Sequence, residues 1–234
     1  MQDTAEDEEH WEPKTELGRK VKDGEITSIS NVLASQEVIR EPEVVDWLVP
    51  GLEEEVILIG GTPGKGGGKR RIVSKRTARM HKSGRRFKTK TMVVVGNGNG
   101  LVGLAEGSGK DVQDSIKKAA EKAKMGIIEI KRGDGSWECG CGEAHSIPFK
   151  SKGKSGSVEL ELKPAPKGIG LCASDEVKKI LKLAGIEDIW VKTRGQTRSR
   201  ENLIKATYNA LKNLNKVKTP EKIASRVGLV EGMK

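Results

Sequence analysis

Four stretches of this sequence place residue types at spacings that could do chemistry. GNGLVG, at 98–103, satisfies the pattern G-x-G-x-x-G. TPGKGGGK, at 62–69, has the glycines and lysines of a phosphate loop. Cys139-x-Cys141-x3-His145 offers two thiols and an imidazole within seven residues. Between Arg70 and Lys90 stand ten Lys or Arg and no Asp or Glu. The four imply, in turn, a dinucleotide, a nucleoside triphosphate, a metal ion and a polyanion.

Both nucleotide readings fail on context. A dinucleotide fingerprint needs a helix that opens within its glycines, so that helix N–H groups meet the pyrophosphate. Here TMVVV (91–95) reads as a strand, Asn97-Gly98-Asn99-Gly100 as a tight type I′ hairpin turn, and LVGLAEG (101–107) as the return strand. The phosphate-loop spacing G-x-x-x-x-G-K-[ST] is met at neither Lys65 nor Lys69, and neither lysine is followed by the Ser or Thr that would hold magnesium. The three histidines, at 10, 81 and 145, have no Ser or Cys partner at a recognised catalytic spacing. The sequence is therefore expected not to be an enzyme.

The Cys139, Cys141 and His145 group suits zinc by ligand type, but a structural zinc takes four ligands. Cys172 or Glu143 is available as the fourth. No second Cys-x2-Cys knuckle exists, and a glycine-rich loop that packs two thiols is the simpler reading. The expected cofactor set is none, with zinc as the alternative.

The cationic run carries the strongest signal. A solvated surface mixes charge signs, and an unmixed block of this length points to a polyanion. HKSGRRFKTK (81–90) places Ser83 and Gly84 at a turn and sends Arg86, Lys88 and Lys90 along one face of the following strand. Arg79, Lys82 and Arg85 then crowd the turn, with His81 beside them in a phosphate-facing role. Lys69, Arg70, Arg71, Lys75 and Arg76 lead into it, and Asn97 and Asn99 stand at the next turn. Arginine forks bind phosphate oxygens two at a time. At 3% aromatic the chain has few rings on which to stack single-stranded bases, so shape and backbone recognition of folded RNA fits best.

The elements that position these residues follow from period and composition. Residues 1–55 hold 16 acids and 5 bases, and the remainder 38 bases and 17 acids. Residues 1 to about 25 read as disordered, with His10 and Trp11 incidental. A short docking helix is expected near Trp47, and 60–69 as a flexible insert. Val112, Ile116, Ala119, Ala120 and Ala123 make one apolar helix face, ending at Gly126 as C-cap. A second unit follows, with strands at 127–131, 158–164 and 186–192. Its helices run from Ser174 to Gly185 and from about 200 to 214, and Trp190 is taken as core. Two small cores are expected rather than one, in an α+β arrangement of two two-layer units. Three cysteines make no disulfide framework, no stretch approaches a membrane span, and the acidic start lacks a signal peptide's apolar core, so a cytoplasmic location without membrane contact is expected.

SGRRFKTKTMVVVGNGNGLVGLAEGSGKDVQDSIKKAAEKAK resembles the double-stranded-RNA-binding-type domain of the universal small-subunit ribosomal protein five family. GSVELELKPAPKGIGLCASDEVKKILKLAGIEDIWVKTRGQT, with RENLIKATYNAL, is similar to that family's second domain. WECGCGEAHSIPF and the acidic extension resemble its archaeal branch. The likeness runs from about Glu53 to Val217. It implies an acidic extension (1–52), a double-stranded-RNA-binding-like domain (53–126), a second α/β domain with a left-handed crossover (127–215) and a basic tail (216–234).

The resemblance also implies a structural protein of the small ribosomal subunit, with small-subunit ribosomal RNA, small-subunit ribosomal proteins four and eight, and nearby messenger RNA as partners. Arg79 to Lys90 would be its RNA-contacting hairpin. Arg194 and Arg198, flanking Gly195, Gln196 and Thr197, would reach RNA or a neighbour. A free-standing RNA-binding regulator is the alternative. GGTPGKGGGKRR adds about a dozen residues to the family's usual path. Two readings of it stay open, an RNA contact ordered on assembly and a plain surface loop.

Overall fold

Residues 91–96, TMVVVG, are buried on both faces, and the architecture is arranged around them. The computed structural model describes residues 11–35, 37–63 and 69–232. Among the described residues three short helices come first: α1 (Glu16–Lys22), α2 (Ile29–Ala34) and α3 (Glu43–Leu48). They lead to β1 (Glu53–Val56), a hairpin of β2 (Gly60–Pro63) and β3 (Lys69–Ile72), then β4 (Lys75–His81), β5 (Gly84–Gly96) and β6 (Leu101–Gly109). Next come α4 (Val112–Met125), β7 (Ile127–Glu129), β8 (Lys131–Arg132), β9 (Ser151–Ser155), β10 (Val158–Pro164) and β11 (Leu171–Cys172). The chain continues through α5 (Asp175–Leu183), β12 (Ile189–Arg194), α6 (Arg200–Leu214), α7 (Glu221–Val227) and β13 (Val230–Glu231).

The first sheet has the order β1-β5-β6-β7, with β4 also paired to β5. The second has the order β11-β12-β10-β9 and is antiparallel except for β11 beside β12. Alternation along β5 explains its unbroken apolar run, because a strand covered on both sides needs apolar groups in both directions. Val93 and Val95 meet Ala119, Ala120 and Ala123 of α4. Met92 and Val94 point the other way, into a cluster with Val177, Ile180 and Leu181 of α5, Ile204 and Leu211 of α6, and Val158, Leu160 and Leu162 of β10. The layers are thus α4, first sheet, α5 with α6, and second sheet.

Several expectations change. The main core is shared by both units, where two separate cores were expected, because α5 and α6 are covered by sheet on both sides. The strand assigned to the second unit at 127–131 splits, and Ile127–Glu129 pairs with β6 in the first sheet. Gly126 is the C-cap of α4, as expected, though with φ −102° it is not left-handed. The Asn-Gly turn is no two-residue type I′ turn. Five residues separate paired Gly96 and Val102, with positive φ at Gly98 and Gly100. Trp190 is half-buried, and the C-terminal tail forms α7 and pairs β13 with β8.

The acidic extension is not disordered where it is described. Glu41 accepts hydrogen bonds from the Trp11 indole and the Lys14 and Thr15 backbone N–H groups, at 3.2, 3.0 and 2.6 Å. Trp11 also lies 6.3 Å from Trp47, ring centre to ring centre, so it is part of the packing. Leu17, Val21, Val32 and Val45 then bury with Leu101 and Ile127 of the first sheet. The supposed flexible insert begins and ends as a ladder, Gly60 opposite Ile72 and Pro63 opposite Lys69. Its centre, like residues 1–10, lies outside the described residues.

Helix α6 approaches the second sheet so closely that only glycine fits at position 153. A β-carbon there would stand 2.0 Å from the Ala206 carbonyl oxygen and 2.5 Å from the Ala210 nitrogen. Gly153→Ala should destabilise the protein by roughly 1–3 kcal/mol, as overpacking does. Gly61→Ala, whose β-carbon would have nothing closer than 3.8 Å, should be near neutral. Urea unfolding of both variants checks this, and equal effects would contradict the close packing.

Candidate nucleic-acid interface

Strand β5 is longer than its sheet. Its pairing with β6 starts at Thr89, while its pairing with β4 continues to His81 opposite Gly84. The part from Thr77 to Lys88 therefore projects as a two-stranded hairpin, about 15 Å long at the usual strand rise. Lys82 and Ser83 form its turn, closed by Gly84 at φ +104°.

Pleating gives the hairpin two faces. Register places Lys75, Thr77 and Arg79 opposite Lys90, Lys88 and Arg86 on one of them. The cations nearest the sheet are already neutralised. Lys90 Nζ lies 2.9 Å from Glu106, which also meets Lys205 at 2.8 Å, and Lys75 lies 3.4 Å from Glu201. Farther out, Arg79, Arg86 and Lys88 are exposed and form no ion pair among the described residues. Arg86 donates to Ser83 Oγ at 3.0 Å, and Lys82 and His81 are exposed at the tip.

The opposite face carries Arg76, Ala78 and Met80 against Thr89, Phe87 and Arg85. The Arg76 guanidinium sits 3.8 Å from the Phe87 ring centre and that of Arg85 5.2 Å from it, both within cation–π range. Met80 is 77% exposed and Phe87 43%. Sequence reasoning missed this pair. The alternation that grouped Arg86, Lys88 and Lys90 would have found it if applied to both strands.

A second cationic zone lies apart from the hairpin tip. A groove of about 1230 Å³ is lined by Arg70 and Arg71 of β3, Ser174 just before α5 and Val177 within it, and Arg198 and Arg200 after β12. Arg71 lies 3.5 Å from Asp175, and Arg200 donates to the Leu58 carbonyl at 2.8 Å. Lys69 enters the ladder opposite Pro63. Arg194 does not line the groove; it stands opposite Glu159 in the second sheet. Asn97 and Asn99 are taken up internally. Asn97 Oδ1 accepts from the Asn99 and Leu101 N–H groups at 2.8 and 3.1 Å, and Asn99 Oδ1 accepts from Arg132.

The cysteine loop also differs from expectation. Asp134 joins Cys139, Cys141 and His145, and the ligand atoms of the four lie within 4.8 Å of one another. Cys172 is exposed and lines the arginine groove, while Glu143 pairs with Lys167. His145 is not isolated, since its ring lies between Asp134 and Asp188. Burial pushes the Asp134 carboxyl up, but hydrogen bonds from Cys141, Cys139 and the backbone at Ser136 and Gly142 outweigh it and hold the pKa below its usual value.

Two family profiles match this chain. "Ribosomal protein S5, N-terminal domain" covers residues 69–131, and "Ribosomal protein S5, C-terminal domain" covers residues 153–226. Three relatives, each named "Small ribosomal subunit protein uS5", are similar over nearly their whole length. The protein of Methanocaldococcus jannaschii is 50% identical over 224 residues, 96% of this chain and 96% of the relative. That of Methanothermobacter thermautotrophicus is 47% identical over 94% of this chain and 95% of its own. That of Haloarcula marismortui is 46% identical over 94% of this chain and 97% of its own.

Glu106 ties the hairpin base to α6. Burial raises its pKa, yet hydrogen bonds and charge from Lys205 and Lys90 bring it below the usual carboxylate value. A depressed carboxylate stabilises the fold above its unfolded pKa and loses that contribution as pH falls through the folded one. Glu106→Gln should therefore cost on the order of 1 kcal/mol or less at neutral pH, as partly exposed pairs do. The gap to the parent should narrow as pH falls below the usual carboxylate range and through the depressed value of the folded state. Thermal unfolding across pH checks this, and a gap unchanged at acid pH would show that the pair does not carry the difference.

Proposed function

Since this chain belongs to the ribosomal protein S5 family, as an archaeal-type uS5 member, we propose that its β4–β5 hairpin is the grip by which it holds small-subunit ribosomal RNA. The chain is a structural component of the small ribosomal subunit and not an enzyme. Its place is on the ribosome in the cytoplasm. The observation that carries the proposal is the projecting hairpin, whose outer cations Arg79, Arg86 and Lys88 have no acidic partner among the described residues.

A strand pair of this length fits along a phosphate backbone. Lys82 and His81 reach farthest, and the Arg76, Phe87, Arg85 and Met80 face offers stacking and apolar contact where a base is splayed out. Arg70, Arg71 and Arg198 form a second contact across the groove, with Lys69 leading into it. Arg194 reaches RNA or a neighbouring protein from the edge of the second sheet.

The finer assignments follow the family. The first sheet with α4 corresponds to its double-stranded-RNA-binding-like domain. The second unit is its left-handed crossover domain, a reading supported by the parallel pairing of β11 and β12 around α5. The extension, residues 1–52, and the tail, residues 216–234, flank these two. The site on the subunit is the decoding region and the side where messenger RNA enters, beside small-subunit ribosomal proteins four and eight. There the protein supports assembly and accurate translation. No cofactor takes part in this role, and a metal held by the cysteine loop serves structure.

Two measurements test the grip. In a lysate gradient the parent should travel with the small subunit at one copy each and survive a high-salt wash. A protein that stays at the top of the gradient would instead be a free RNA-binding regulator. In RNA binding, replacing Arg79, Arg86 and Lys88 by Ala should flatten the dependence of log K on log salt by about 0.9 for each duplex phosphate that the variant no longer neutralises. Phe87→Ala should weaken binding with little change of slope. A slope unmoved by the triple replacement would place the grip elsewhere.

A further inference from the structure

We infer that Asp134, Cys139, Cys141 and His145 are the four ligands of a structural zinc site, which Asp188 orients and which fastens the C-terminal segment to the core. This inference rests on the loop's own geometry and not on the RNA-binding reading.

The donor set and distances fit a tetrahedral ion. Zinc bonds of about 2.0 Å to nitrogen or oxygen and about 2.3 Å to sulfur place tetrahedral ligand atoms roughly 3.3–3.8 Å apart. Cys141 Sγ lies 3.3 Å from Asp134 Oδ2, His145 Nε2 lies 3.7 Å from Asp134 Oδ1, and Cys139 Sγ lies 4.0 Å from His145 Nε2. All four ligand atoms fall within 4.8 Å of one another, so closing on an ion needs only small movements of the side chains. Two thiolates with an imidazole select a borderline-soft ion such as zinc over calcium or magnesium.

The surroundings are built around the imidazole. With Nε2 facing the cluster, Nδ1 lies 3.0 Å from Asp188 Oδ2. A carboxylate behind a ligating histidine fixes its tautomer and raises its basicity. Asp188 is itself held, since its Oδ1 accepts from Gly168 and Gly170 N–H at 3.0 and 2.7 Å. The His145 carbonyl in turn accepts from the Glu187 and Asp188 N–H groups. Asp134, Asp188 and His145 are all buried, and no Lys or Arg forms an ion pair with either carboxylate among the described residues. A dication balances that charge. Cys141 is exposed and leaves an entrance, and binding expels the two thiol protons.

The consequence falls on the C-terminal segment. Helix α7 has no buried residue of its own. It is held through this loop, where Asp134 N–H donates to the Val227 carbonyl at 2.8 Å. The Gly142 carbonyl presses so closely on Gly228 that a β-carbon at 228 would stand 1.8 Å from it. Beyond, β13 pairs with β8 at only two positions.

The test uses the full-length chain, reduced and stripped of metal, titrated with Co²⁺ alone. One equivalent should produce the visible bands of tetrahedral cobalt and a thiolate charge-transfer band, both bleached by one equivalent of Zn²⁺. Zinc loading should also slow tryptic cutting within 216–226 relative to the stripped chain. Cys139→Ser with Cys141→Ser should abolish the charge-transfer band, and Cys172→Ser should leave the spectrum unchanged. Asp188→Asn should keep the tetrahedral spectrum with metal affinity weakened about 10–100-fold. An octahedral spectrum, no stoichiometric uptake by the parent chain, or loss of signal in Cys172→Ser would overturn the assignment. The parent titration decides the matter even if a variant fails to fold.

Discussion

Burial of both faces of β5 between residues 91 and 96 is the constraint on which the rest of the structure depends. Met92, Val93, Val94 and Val95 are at most 1% exposed. Each fully buried aliphatic side chain contributes about 1.5–3 kcal/mol, against about 0–1 for a surface ion pair. These residues, and not the many salt bridges, therefore fix where the strand lies. Covering both faces requires α4 on one side and α5 with α6 on the other, which is why two sequence units share a core. It also decides what happens at Lys90, where the strand leaves the core. The part before Thr89 has only β4 to pair with, and it carries the densest positive charge in the chain. An isolated two-stranded hairpin is marginal in water, but this one is rooted in a buried strand.

Where the acids go completes that division. Glu41 accepts from the Lys14 and Thr15 backbone ahead of α1, Asp46 and Glu54 hold Lys124, and Glu55 holds Lys179. On the outer face of the second sheet, Glu159 and Glu161 meet Lys150, Lys152 and Lys154. Acids are thus engaged within the body of the protein, while the outer hairpin has none. The formal charge of +10 understates what a polyanion would meet there.

Legibility in the sequence followed period. Ala119, Ala120 and Ala123 of α4 bury where spacing placed them, while Val112 at the start of the same face is 40% exposed, and the helices expected at 174–185 and about 200–214 stand as α5 and α6. The family motifs gave the family. What spacing could not show was contact between distant segments. Ile127 pairing into the first sheet and Trp11 reaching Glu41 leave no local trace. Nor does Asp134 joining the cysteine loop, because a ligand five residues before Cys139 follows no knuckle spacing. The hairpin's cations were legible as a block, but which of them stay unpaired depends on Glu106 and Glu201, far along the chain. Asn97 and Asn99 show a different gap, since spacing gave no sign that their side-chain oxygens are engaged inside the protein.

The ion pairs at the hairpin base are individually weak, so their effect is better sought in direction than in stability. Glu201 and Lys205, which hold Lys75 and Glu106, both lie on α6. That helix is fixed on its other side, where Asn209 and Asn213 donate to the Lys154 and Lys152 carbonyls of β9 at 3.0 and 2.8 Å. Its Tyr208 hydroxyl reaches back to the Gly126 carbonyl beneath the first sheet. A cantilevered strand pair can twist and swing about its root, and two ion pairs to one rigid helix limit that swing. The second unit therefore sets the angle at which the first presents its cations. The proposed RNA grip would need such a fixed angle, since phosphate contacts fix register only when the groups making them are already in line.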